Sequence, residues 1–129
     1  MELCIFLVED SRQIRDNLIP ALADLGLARV VGFAESETEA TSWLAQHGHS
    51  WDIVVIDLFL KEGSGLGVLR WVQSRRNAGQ HVVVLSNYAT SVMRENCRAS
   101  GADAVFDKST ELDEFFEYCQ TADRHRAEC

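Results

Sequence analysis

Apolar residues recur along the chain in two alternating rhythms. Five short, nearly continuous runs are LCIFLV (3–8), ARVVGFA (28–34), DIVVIDL (52–58), HVVVLS (81–86) and DAVFD (103–107). Rich in Val, Ile and Phe, they suit strands buried on both faces, as in a parallel sheet. The stretches between them carry helical spacing. Ile14, Leu18, Leu22 and Leu25 form one stripe, and Ala40, Trp43 and Leu44 part of a second. Leu66, Leu69, Trp71 and Val72 form a third, Val92, Met93 and Cys97 a fourth, and Leu112, Phe115, Phe116 and Cys119 a fifth. Gly26, Gly48, Gly79 and Gly101 each follow a helical stretch, where a left-handed cap is wanted. Ser11, Ser36 and Thr110 are candidate N-caps. Pro20 falls inside the first helix and is expected to kink or locally break it. Strand and helix thus alternate five times with no linker between them. This predicts one α/β domain over residues 1–129, a doubly wound parallel sheet with helices on both faces.

Composition narrows the function. The chain has 129 residues, 47% of them apolar and 25% charged, the balance of a soluble globular domain. A net charge of −8 argues against direct nucleic-acid binding, which needs clustered Lys and Arg. No run is long enough to span a bilayer, and no basic segment with an apolar signal core opens the chain. Cys4, Cys97, Cys119 and Cys129 lack CxxC or metal spacing and read as reduced thiols of a cytoplasmic protein. His47, His49, His81 and His125 are scattered, with a chance surface site at His47 and His49 the only zinc option. Glu35, Glu37 and Glu39 read as a solvated helix face.

The polar residues at the strand ends carry the chemistry. In an open parallel sheet, ligands bind beyond the carboxyl ends of the strands, where the strand order reverses. The first strand runs into Glu9 and Asp10, the third into Asp57, the fourth into Ser86 and the fifth into Asp107-Lys108. Glu9, Asp10 and Asp57, crowded on one rim, should have raised pKa values or hold a cation. A hard divalent ion such as Mg²⁺ takes such oxygen ligands. Asp57 is placed to act as a carboxylate nucleophile toward a phosphoryl donor. Asp10, Asp57 and the backbone carbonyl of Phe59 would hold the metal directly, and Glu9 through a bound water. Ser86 and Lys108 would take phosphoryl oxygens. Both read as rim groups, so truncating either should cost no more than about 0.5 kcal/mol.

The segments IFLVEDS, VVIDL, Gly65, VVVLS and GADAVFDKS, in that order and spacing, resemble the receiver domain of two-component response regulators, of the chemotaxis-regulator type. The likeness covers nearly the whole chain. It implies a flavodoxin-like five-stranded sheet of order 2-1-3-4-5, dependence on Mg²⁺, and phosphorylation of Asp57 by a histidine kinase or histidine phosphotransfer protein. It also implies a switch in which the Ser86 hydroxyl moves toward the phosphoryl group and the face of the fourth helix, fifth strand and fifth helix rearranges.

Four positions depart from that family's pattern. Ser109 follows Lys108 where proline with a cis bond is usual, so a trans bond is expected, since cis costs about 3 kcal/mol without proline. Val105 replaces the switch aromatic, and Phe106 beside it should face the other side of the strand. Asn87 replaces a small residue and Lys61 a proline. Phe59 and Tyr88, each two residues past a site residue, are candidates to screen the phosphoryl group from water.

Only a short polar stretch follows the fifth helix, so the expected function is a stand-alone receiver that relays phosphate or switches binding to an output protein. The alternatives are the N-terminal receiver of a longer regulator and a Mg²⁺-dependent aspartyl phosphatase. Such a phosphatase wants a second Asp where Phe59 stands. A flavodoxin would want an uncharged phosphate loop where EDSRQ stands.

Overall fold

The structure, a computed structural model, describes residues 3–24, 28–87 and 89–128, with side chains to residue 122. Strand and helix alternate throughout. In chain order these are β1 (Leu3–Val8), α1 (Arg12–Asp24), β2 (Ala28–Ala34), α2 (Glu37–Gln46) and β3 (Ile53–Ile56). They continue with α3 (Gly65–Gln73), β4 (His81–Ser86), α4 (Ser91–Ala99), β5 (Ala104–Asp107) and α5 (Leu112–Glu128). All strand pairs are parallel, and the sheet order is β2-β1-β3-β4-β5, as the resemblance implied.

Successive strand residues face opposite sides, so the near-continuous apolar runs feed two cores at once. Phe6, Val8, Val54, Ile56, Val82, Val84 and Val105 pack with residues of α2, α3 and α4. Ile5, Leu7, Ile53, Val55, Val83 and Leu85 pack with α1 and α5. Phe106 faces this second layer, edge-on to Phe115 and Tyr118, so the expected facing of Val105 and Phe106 holds.

Several local expectations change. The third strand, Ile53–Ile56, is shorter than 52–58; just before it Asp52 turns its carboxylate to the Cys4 amide at 2.7 Å. The fifth starts at Ala104, since Asp103 caps the Val82 amide at 2.8 Å. Ser11 and Ser36 receive helix amides as N-caps. Thr110 does not: α5 begins at Leu112, and the first turn hangs from Glu111. Ser64 and Thr90 are the caps of α3 and α4. Among the described glycines only Gly101 takes a left-handed turn directly after a helix cap. Gly79 has positive φ well beyond α3, Gly48 has none, and Gly26 and Leu25 lie outside the described residues. Helix α1 continues through Pro20 unbroken, with Pro20 on its exposed side, where water can satisfy the carbonyl left without a partner. Val92, expected in the apolar stripe of α4, is 67% exposed.

The order 2-1-3 sends the chain outward from β1 to β2 and back across to β3, which opens a crevice above the β1 and β3 ends. Gly65 lets α3 start against that rim. A Cβ there would lie 2.1 Å from the Asp57 carbonyl oxygen and 2.6 Å from the Leu58 Cα. Both neighbours are backbone, so neither can step aside cheaply. Gly65→Ala is expected to destabilise by about 1–3 kcal/mol in urea unfolding. An unchanged midpoint would mean that α3 does not sit this close to the strand end.

Candidate functional site

Ladder hydrogen bonds carry the site residues past the ends of their strands. The Glu9 amide donates to Ala34 O at 2.9 Å, the Asp57 amide to Val8 O at 3.0 Å, and the Lys108 amide to Ser86 O at 3.1 Å. The sheet thus sets these positions as firmly as the strands themselves. Their side chains then meet. Asp57 Oδ1 accepts from the Ser86 hydroxyl at 3.1 Å and from the Phe59 amide at 3.2 Å. Asp57 Oδ2 accepts from Lys108 Nζ at 3.0 Å, and the same ammonium donates to Glu9 Oε1. Glu9 Oε2 takes the Ser11 amide at 3.1 Å, and Asp10 Oδ2 takes the Lys61 amide at 2.7 Å. Lys61 can donate there only because it is not the proline usual at that place.

Glu9 is 2% exposed, Asp57 7% and Ser86 0%. Burial pushes the Glu9 carboxyl above its usual range. The Lys108 hydrogen bond and charge pull it back, and the Asp57 charge pushes it up again. The expectation that Ser86 and Lys108 are rim groups of little structural weight therefore fails. Ser86 is fully buried, and the Lys108 side chain, 9% exposed, is the cation between two buried carboxylates.

Oxygen atoms of Glu9, Asp10 and Asp57 lie within 4.8 Å of one another, the one such group of potential metal ligands among the described residues. Oxygens on a single Mg²⁺, at about 2.1 Å each, stand no more than about 4.2 Å apart. A small closure of the three, or one carboxylate acting through water, fits that ion. The donor set is all hard oxygen, as Mg²⁺ requires.

Two supports were invisible in the sequence. Arg15 reads as a polar position of the first helix, yet it is 6% exposed. Its Nη1 donates to the Glu9 carbonyl at 2.7 Å and to Glu35 at 3.2 Å, and its guanidinium lies 4.3 Å from the Phe33 ring centre. In the acidic trio Glu35 and Glu39 are exposed and Glu37 is half-buried, and each carboxylate also holds a specific partner. Glu35 pairs with Arg15, Glu39 accepts the Glu35 amide, and Glu37 accepts the Ser64 amide at 2.8 Å while its own amide donates to Glu62 O. Glu37 thereby holds the loop between β3 and α3, the loop that carries Phe59. Gly63, at φ 80°, and Gly67 leave room for the Glu37 side chain.

Phe59 lies beside the site with its side chain 62% exposed, and Tyr88 lies outside the described residues. The Lys108–Ser109 bond is trans, as expected. Chemically, the site offers a carboxylate with a hydroxyl on one oxygen and an ammonium on the other. Beside it sits an acidic group suited to a divalent ion.

The family model for the response regulator receiver domain matches residues 5–120. No curated protein matches the sequence. Among solved structures, the response regulator domain of Thermotoga maritima CheB is similar at a TM-score of 0.82 and 18% identity, over 96% of this chain and 98% of that one. The signal receiver domain of a putative Luxo repressor protein from Vibrio parahaemolyticus also scores 0.82 at 18% identity, over 97% and 92%. The CheX-CheY-BeF3-Mg²⁺ complex from Borrelia burgdorferi scores 0.77 at 18%, over 90% and 88%.

Removing Lys108 leaves two buried carboxylates facing each other. Lys108→Ala is expected to lose about 3 kcal/mol in urea unfolding at pH 7 with EDTA. Burial already raises the Glu9 carboxyl, and without the ammonium nothing as strong pulls it back toward its value in the unfolded chain. Stability of this variant should therefore recover as pH falls through the raised Glu9 value, and adding Glu9→Gln should restore part of the loss. A wild-type midpoint for Lys108→Ala would show that solvent, not Lys108, balances these charges.

Proposed function

The chain belongs to the response regulator receiver family, and on that premise we propose that it is a cytoplasmic receiver, one domain over 1–129, whose Asp57 accepts a phosphoryl group. The donor is a histidine kinase or histidine phosphotransfer protein. The observation that carries this reading is the environment of Asp57, with the Ser86 hydroxyl and the Lys108 ammonium on its two oxygens and Glu9 and Asp10 alongside. Among the described residues, no helix is long and apolar enough to cross a membrane.

In the transfer, an Asp57 oxygen forms a bond to phosphorus as the phosphorus–nitrogen bond of phosphohistidine breaks. The released imidazole nitrogen keeps the electron pair of that bond. Most of the catalytic task is positioning and charge neutralisation. The Phe59 amide and the Ser86 hydroxyl orient the carboxylate, leaving its other oxygen toward the ammonium. Lys108 then takes a phosphoryl oxygen, exchanging one anionic partner for another. Ser86 does the same with its hydroxyl. Asp10, Asp57 and the Phe59 carbonyl would hold Mg²⁺ directly and Glu9 through water. The ion supplies the positive charge that a transferring phosphoryl group needs. The protein acts as a phosphoacceptor in signalling, passing its state to an output protein or its phosphate onward.

Incubation with Mg²⁺ and acetyl phosphate is expected to add one phosphoryl group by intact mass. Asp57→Ala, or excess EDTA with the wild type, should show none. Equal phosphoprotein yield in Asp57→Ala would overturn the assignment.

A further inference from the structure

Resting on the phosphoacceptor reading, we propose that Arg94, Glu111 and Asp107 form a polar latch that couples Asp57 to the α4–β5–α5 face. The latch closes on the loop that follows Ser86. Ala89 in that loop is held on both sides of its backbone. Its amide donates to Asp107 Oδ2 at 3.0 Å, and its carbonyl accepts from Arg94 Nε at 3.0 Å. The two clamping residues are themselves tied together through Glu111. Arg94 Nη2 and the Asp107 amide both donate to Glu111 Oε1, and Arg94 Nη1 donates to the Val105 carbonyl at 3.2 Å. One guanidinium from α4 therefore reaches the loop, the last strand and the first turn before α5.

Both oxygens of Asp57 lead into this network. Oδ1 is bonded to Ser86, three residues before Ala89. Oδ2 is bonded to Lys108, the residue after Asp107. When a phosphoryl group replaces the carboxylate oxygens as the partner of Ser86 and Lys108, both segments must adjust together. The loop can follow Ser86 only if the grip on Ala89 loosens or moves. Val105 is buried in the α2–α4 layer and has no ring to reorient, so an aromatic side chain at that position carries none of this coupling. The latch instead trades hydrogen bonds: Arg94 and Asp107 hold the loop in the unphosphorylated arrangement, and release of Ala89 frees it. Arg94 and Glu111 are each about a quarter to a third exposed, so a partner seated on this face can read or bias the same bonds. Their partners keep the Glu111 and Asp107 carboxyls below the usual range: the Arg94 hydrogen bond foremost for Glu111, and the Ala89 amide for Asp107. Both are therefore charged at neutral pH, as the latch requires.

The test uses Mg²⁺ with beryllofluoride as the phosphoryl probe and follows the amides of residues 87–90 by NMR. Wild type, Arg94→Met and Glu111→Gln are compared, with Arg76→Met as control. Arg76 forms its ion pair with Asp103 at the opposite end of the sheet. Breaking the latch should move the unliganded loop amides toward their beryllofluoride-bound positions and tighten beryllofluoride binding by at least about fivefold. The double variant Arg94→Met/Glu111→Gln should match the single ones, because the two act as a unit. The control should lose stability without either change. If both latch variants keep wild-type amide positions and wild-type affinity, the latch proposal is overturned while the phosphoacceptor reading stands. If wild type itself takes up no beryllofluoride, the phosphoacceptor reading falls and the latch with it.

Discussion

One ammonium balances the site. Glu9 and Asp57 are buried carboxylates at the ends of neighbouring strands, and Lys108 is the cation that both share. A pair of buried like charges would otherwise have to be neutralised by protonation. Lys108 is placed by its own backbone amide, bonded to Ser86 O, so the charge balance is built into the ladder between β4 and β5. One positive charge against three acids still leaves the crevice negative. That residual charge favours a divalent cation, and with it an incoming phosphoryl group.

The loops around this centre brace one another. Asp10, from the loop after β1, holds Lys61 in the loop after β3, and Glu37 at the start of α2 holds Ser64 in the same loop. Arg15 in α1 holds the Glu9 carbonyl and reaches Glu35, one residue beyond β2. Nearly every brace runs from a side chain to a backbone group. Such bonds fix where a loop sits without dictating its side chains, so the exposed residues of the rim are free to vary with the partner.

The strand pattern was legible because a parallel sheet buried on both faces writes itself as uninterrupted Val, Ile and Leu. The site residues were legible for a related reason: charged groups stand out where such a run stops. What stayed hidden was the second layer of support. Arg15 and Glu37 lie on helices whose periodicity marks them as surface positions, and their partners are backbone carbonyls and amides with no sequence signature. Thr110 misled as a cap because Ser and Thr before an apolar run fit equally well one residue too early. Val92 misled because three apolar residues of α4 at helical spacing do not reveal which one the neighbouring strands reach. Lys108 was placed at its strand end but not recognised as buried, since burial there depends on how the side chains of adjacent strands pack around it, which apolar spacing does not print.

The three tryptophans are unevenly placed. Trp51 is buried in the layer formed with α2, α3 and α4, and Trp43 and Trp71 pack against it; Trp43 stacks on Phe6 at 4.0 Å. Among the described residues, the opposite layer holds Phe115, Phe106, Phe116 and Tyr118 but no indole. Tryptophan emission is therefore a one-sided gauge of this molecule. It is sensitive to how α2 and α3 sit on the sheet and has no indole reporter in the α1 and α5 layer. A spectroscopic handle on α5 has to come from the Tyr118 phenol, whose oxygen bonds His81 and which burial pushes up to a pKa of about 12.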